Sequence, residues 1–172
     1  MESQNLYESI TGNLDYKIEE LRLNQNVGLG VLGGFLGCLI GAIIWAAVTV
    51  ITDFQIGWMA VGVGFIVGKS VGYCGKGIDS HFGIIGATFS LIGCLLGNLL
   101  ATFIIISRVE GIALFELLNY INVQVIFEIF KFTFSPMDLV FYALAVYEGY
   151  KFSIKSVNIN DLEQPVSSEH LI

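Results

Sequence analysis

Two stretches of the chain, 27–51 and 82–106, each run for 25 residues without a charged side chain. A hydrocarbon core of about 30 Å takes about 20 apolar residues as a helix, and 25 residues give a helix of about 37 Å. Lipid offers no hydrogen bonds, so such a segment must satisfy its peptide groups within a helix. The chain is only 13% charged, against about 25% in soluble domains. We therefore expect an all-α membrane protein.

Glycine recurs at four-residue spacing inside these stretches. It weakens a helix in water, but in lipid small residues at this spacing let two helix backbones approach closely. The glycines that we expect at helix contacts are Gly30, Gly33, Gly34, Gly37, Gly41, Gly64, Gly68, Gly72, Gly93 and Gly97. In the first stretch they form two neighbouring stripes. This width predicts that the first span meets two neighbours, either both in its own chain or one in another copy.

Two further spans are expected at 54–75 and 136–154. The first of these is free of charge from Phe54 up to Lys69. The second carries three charges, but it opens with Ser135-Pro136 and an acid soon after. Serine as the N-cap and proline in the first turn are typical of a helix start. The sequence therefore predicts a four-span helical bundle with glycine-rich helix contacts.

The rest of the chain is expected to be peripheral. Residues 1–26 form a polar N-terminal segment whose apolar spacing predicts a short amphipathic helix. The connection at 107–135 is rich in aromatic residues, so a surface-lying amphipathic segment between spans 3 and 4 fits better than a water-exposed loop. Within it, 123–134 is compatible with a helix or a strand. The tail at 156–172 is polar and expected to be disordered.

Lysine and arginine predict the orientation of the transmembrane domain, 27–155. Four spans place six basic residues on the side of the termini and only Arg108 and Lys131 on the other. Because basic loops stay in the cytoplasm, we expect a multi-pass protein of the inner or plasma membrane with both termini cytoplasmic. The first span would act as its own uncleaved insertion signal.

Three segments resemble a group of small bacterial multi-span membrane proteins. They are FQIGWMAVGVG at 54–64, GKGID at 75–79 and FYALAVYEGYK at 141–151. The resemblance covers roughly 27–155. The group has no established activity, so the resemblance implies a membrane topology and assigns no site residue.

Polar side chains inside the expected spans suggest an intramembrane polar site formed by Lys69, Asn98 and Glu148. An ionisable group within a span is a functional hypothesis by default, and Lys69 and Glu148 could pair across the second and fourth spans. Both lie near span ends, so snorkelling to the headgroups or a structural pair competes with an ion or proton pathway. Asn98 suits either an interhelical hydrogen bond or the lining of a polar cavity.

No recognisable catalytic chemistry stands out in the sequence. We find no nucleophile–base pair, metal-ligand spacing or basic patch, which argues against an enzyme, a cofactor and a nucleic-acid partner. The expected partners are the lipid bilayer, another copy of the chain or other membrane proteins. The sequence favours a non-enzymatic scaffold or partner subunit, and the alternative is a small oligomeric ion or solute channel or transporter.

Overall fold

The computed structural model describes residues 2–54, 57–119 and 122–156, and the regular structure within them is helical, without a strand. The predicted disordered tail therefore lies outside the described residues from 157 onward. The helices, in chain order, are α1 (Glu2–Leu23), α2 (Val27–Thr52), α3 (Met59–Gly75), α4 (Ser80–Glu110), α5 (Leu114–Leu118), α6 (Val123–Thr133) and α7 (Pro136–Ser153).

Two of these helices, α2 and α4, are long and apolar enough to cross a membrane. The segments Val123–Lys131 and Pro136–Ser153 pass the same test together, but they meet at an angle of 106°. The count by length and composition is thus two spans, or three if the bent pair is one span. The apolar helix α3 has only 17 residues, about 25 Å at 1.5 Å per residue.

Four helices pack around a common core. Both α2 and α7 contact α3 and α4, and α3 also contacts α4. The helices α2 and α3 run in opposite directions, since Gly33 lies beside Ser70 and Gly41 beside Val63. The helices α2 and α4 run in the same direction, as do α3 and α7, which meet at Gly64 and Ala145.

The helices approach closely where glycine lies between them. A Cβ added to any of the ten glycines expected at helix contacts would come within 3.0 Å of an atom of a neighbouring helix. At Gly37 it would lie 3.0 Å from the Cα of Val67, and at Gly64 only 2.5 Å from the carbonyl oxygen of Ala145. Gly62, on the same helix as Gly64, has nothing within 4 Å.

One end of the bundle is joined by hydrogen bonds between its turns. The amide of Asn26 donates to the carbonyl of Gly75 (3.0 Å), and Gln25 Oε1 accepts from the amides of Ile78 and Asp79. Arg22 forms an ion pair with Asp79 at 3.4 Å. We call this end, formed by residues 22–26, 75–79 and 153–155, the lysine end.

The structure corrects several predicted boundaries. The helix α3 begins at Met59 rather than at 54. Asp53 ends α2 in the left-handed region (φ 54°), and residues 57–58 form a turn. The helix α4 extends past 106, the predicted end of the third span, to Glu110 and stops at Gly111, which has a positive φ of 66°. The ambiguous segment 123–134 is helical as α6, and the N-terminal helix covers nearly all of its segment.

Candidate functional site

A polar cavity of about 650 Å³ opens between α2, α4 and α6. Its lining residues are Thr49, Asp53, Asn98, Ala101, Thr102, Ile105, Ile106, Glu128, Ile129 and Thr133. We call this region of the bundle, formed by 49–53, 98–106 and 128–133, the cavity end. It lies away from the lysine end, because α2 and α4 both start at the lysine end and contribute their later turns here.

Within the part of the chain that the structure describes, the hydroxyl of Thr49 has no hydrogen-bond partner, although its residue is only 6% exposed. One turn earlier, the indole nitrogen of Trp45 is equally unpartnered. A buried polar group without a partner costs about 1–3 kcal/mol. Native proteins retain such groups rarely, and each one calls for an explanation such as backbone strain, a catalytic role or a bound water or ion.

Seven other serine and threonine hydroxyls on helices in the described part of the chain behave differently from that of Thr49. They donate to the carbonyl four residues earlier, as Ser90 does to Gly86 at 2.7 Å and Ser153 to Gly149 at 2.6 Å. The same bond is made by Thr52, Ser70, Thr88, Thr102 and Thr133. Thr49 thus brings to the cavity wall a buried hydroxyl that does not make the bond typical of its neighbours.

Asn98 supplies a second polar group to the cavity wall. It is 4% exposed, and its amide nitrogen donates to the hydroxyl of Tyr142 on α7 at 3.3 Å. Its Oδ1 accepts no hydrogen bond from the residues that the structure describes. Asn98 thus combines the two roles considered from sequence, since it bonds to a neighbouring helix and also lines a polar cavity.

The charges of the cavity wall are all negative. Asp53 and Glu128 both line it and both are exposed, and no lysine, arginine or histidine among the described residues does so. Arg108, the nearest cation along α4, instead donates to the carbonyl of Val50 at 3.3 Å. The C-terminal end of α2 adds the negative end of its helix dipole. This combination of acceptors and carboxylates favours a positively charged occupant.

The structure does not bring Lys69, Asn98 and Glu148 together. Lys69 is exposed, and its ammonium lies 5.1 Å from the ring centre of Phe152. Glu148 is half-buried, and no ion pair joins it to Lys69, both residues being among those described. Asn98 lies in the separate polar cavity.

Sequence reasoning missed five polar lining residues: Thr49, Asp53, Thr102, Glu128 and Thr133. A signal for some of them exists, because Asn98 and Thr102 share a helix face at four-residue spacing, and Thr49 and Asp53 have the same spacing at the end of α2. The sequence does not show that the end of α2 and this face of α4 line the same cavity, or that α6 lies beside them.

Comparisons with known proteins add no relative. No family model, curated protein or solved structure matches the chain. Within the described residues, no group of three or more His, Cys, Asp or Glu side chains is placed to hold a metal ion. The cysteines Cys38 and Cys94 are buried and unbonded to each other.

Proposed function

We propose that this chain is a four-span integral membrane protein that binds a small organic cation in its polar cavity, as a carrier or a subunit of one. The observation that carries the proposal is the unpartnered, buried Thr49 hydroxyl on the wall of an acidic cavity. This is the channel-or-transporter alternative raised from the sequence, and it requires no catalytic group.

The four-span arrangement rests on α2, α3, α4 and α7. They pack mutually through glycine-lined contacts, and α7 starts at a capping box after the sharp bend from α6. In this arrangement α6 lies along the membrane surface. The lysine end then faces the cytoplasm, in keeping with the positive-inside rule.

The size and lining of the cavity support the ligand class. A volume of about 650 Å³ falls within the range of small-molecule sites and is far larger than a bare metal ion needs. Isoleucines line the cavity beside the carboxylates and the Asn98 amide. A small organic cation suits this lining, because its ammonium group can contact the carboxylates while its apolar part contacts the isoleucines.

A carrier fits the core better than an open pore does. Between the cavity and the lysine end, the bundle axis is filled by fully buried side chains, among them Val67, Val71 and Phe82. The cavity therefore opens toward one end of the bundle, and passage to the other end requires the helices to move.

Chemical modification of Thr49→Cys tests the cavity. The variant is placed in a Cys74→Ser background in lipid nanodiscs, where both faces are accessible, and modification at position 49 is read by mass spectrometry. We expect a cationic methanethiosulfonate to react about tenfold faster than an anionic one, because charged clefts concentrate counter-ions by at least this factor. Benzylammonium should slow the reaction more than benzyl alcohol or benzoate.

The matched control is Ala46→Cys, on the same helix and 4% exposed but outside the cavity wall. It should remain unmodified. Adding Asp53→Asn and Glu128→Gln should remove the preference for the cationic reagent. If the thiol at position 49 is as inert as that at 46, there is no accessible cavity; if both reagents react equally, the ligand is not a cation.

A scaffold or partner subunit remains the second candidate, and α1 is the observation that favours it. Tyr16, Ile18 and Leu23 on this helix are exposed, and the helix is tied to the bundle through Arg22 and Gln25 near its end. A scaffold should lose its co-purifying membrane partner when residues 2–20 are deleted, while a solute carrier should keep its ligand protection at position 49.

A further inference from the structure

A second pocket, of about 440 Å³, collects three lysines in the cleft between α3 and α7 at the lysine end. Lys69 comes from α3, Lys151 from the last turn of α7, and Lys155 from just beyond it. We call this the lysine pocket, and its remaining lining residues are Gly72, Tyr73, Phe152, Ile154 and Ser156.

The positive charges of the lysine pocket are not neutralised within the described part of the protein. Among residues 2–54, 57–119 and 122–156, no carboxylate lines the pocket, and none of its three lysines forms an ion pair. Glu148, on the same helix as Lys151, contributes no lining atom. Like charges held close together repel one another, so the pocket favours an anion.

The ammonium groups of two of these lysines lie near the ring of Phe152. The ammonium of Lys69 lies 5.1 Å from the ring centre of Phe152, and that of Lys151 lies 5.6 Å from the same centre. Phe65 stacks edge-on against this ring at 5.0 Å. Cation–π contacts of this kind fix the lysine side chains, so the two charges are positioned before an anion arrives.

The depth of the lysine pocket in the proposed membrane arrangement indicates which anion it takes. It lies at the ends of α3 and α7, where Tyr73 is 87% exposed, and tyrosine is enriched at the membrane–water interface. Basic pockets between helices on the cytoplasmic side bind anionic headgroups. Phe65, on the same face as Lys69, is exposed and offers an apolar surface to an acyl chain.

We infer that the lysine pocket binds the phosphate headgroup of an anionic phospholipid of the cytoplasmic leaflet. The inference rests on the membrane-spanning arrangement proposed above and is independent of the cation cavity. The phosphate lies among the ammonium groups of Lys69, Lys151 and Lys155, and the acyl chains follow the outer surface of α3.

Native mass spectrometry of the detergent-solubilised full chain, titrated with dioleoyl phosphatidylglycerol or dioleoyl phosphatidylcholine, tests this. The wild type should retain the anionic lipid more tightly. The double variant Lys69→Gln/Lys151→Gln should bind it about 25-fold more weakly, because each lysine near an anionic surface contributes about fivefold. The control Lys76→Gln/Lys131→Gln removes the same net charge outside the pocket and should retain wild-type affinity.

Three outcomes would overturn the inference. Equal retention of the two lipids by the wild type removes the preference for an anion, and equal weakening in the two double variants removes the role of the pocket. If inorganic phosphate displaces the lipid at a similar concentration, the ligand is a soluble phosphate rather than a lipid. Insertion of each variant into nanodiscs is measured separately, so a failure of the membrane arrangement is distinguished from a failure of lipid binding.

Discussion

The lysine end and the cavity end of this bundle are built from the same apolar helices but pack differently. Toward the lysine end, hydrogen bonds between turns and the ion pair of Arg22 with Asp79 join the helices. Toward the cavity end, polar side chains line a cavity, and the Thr49 hydroxyl has no hydrogen-bond partner among the described residues. The difference suggests that one half provides stability and the other keeps polar groups available for a ligand.

The largest expected effect comes from adding one methyl group where the backbones touch. In Gly64→Ala the new Cβ would lie 2.5 Å from the carbonyl oxygen of Ala145 and 2.9 Å from its Cα. Backbone cannot move aside as a side-chain end can, so we expect a loss of about 1–3 kcal/mol in the free energy of unfolding. Unfolding by sodium dodecyl sulfate in mixed micelles measures it.

The control for that variant is Gly62→Ala on the same helix, where an added Cβ meets nothing within 4 Å. It should be neutral or raise stability by no more than about 1 kcal/mol, through the better helix propensity of alanine. Equal losses in the two variants would mean that the α3–α7 contact does not depend on glycine.

Two isosteric substitutions on the cavity wall should have opposite signs. Thr49→Val removes a hydroxyl without a partner and should stabilise the ligand-free protein by about 1 kcal/mol. Thr102→Val removes a hydroxyl that donates to the Asn98 carbonyl at 3.0 Å and should destabilise it by up to about 1 kcal/mol. The same detergent titration checks both, and a loss of stability in Thr49→Val would show that its hydroxyl is satisfied in the native protein.

The smallest effect is expected at the turn-to-turn contacts of the lysine end. Asp79→Asn removes the ion pair between Asp79 and Arg22, whose side chains are 36% and 55% exposed respectively. The variant retains a side-chain oxygen that can accept a hydrogen bond from Gln25. Exposed pairs contribute about 0.2–1 kcal/mol, and salt screens them. The difference from wild type should therefore vanish at high ionic strength; a difference that persists there would indicate a role beyond the ion pair.

Local sequence patterns predicted the helices well where nearby residues determine where a helix begins or ends. The start of α7 after Ser135 follows from a side-chain cap that was recognised in the sequence. The start of α2 at Val27 matches the beginning of the uncharged stretch, and the structure adds Asn26 as its cap. The start of α3 was placed too early, because Phe54 extends the apolar run while Asp53 turns the chain. Apolar composition alone does not record that turn.

The candidate site was harder to predict because it depends on which helix faces meet. Asn98 was recognisable as a polar group in an apolar stretch, but its partner Tyr142 is 44 residues away. Glu128 belongs to a segment whose secondary structure the sequence left open. Lys69 was identified for its charge, whereas its neighbours Lys151 and Lys155 become relevant only once α3 and α7 lie side by side.

In the proposed four-span arrangement, the short helix α3 has a consequence for the surrounding lipid. Its 17 residues span about 25 Å, less than the hydrocarbon thickness of about 30 Å, whereas α2 with 26 residues exceeds it. Hydrophobic mismatch of this kind is relieved by local thinning of the bilayer beside the short helix and by tilt of the long one. Acyl-chain length thereby acts on the angle between α2 and α3, and the thickness of the host membrane becomes a physical variable that sets the shape of this bundle.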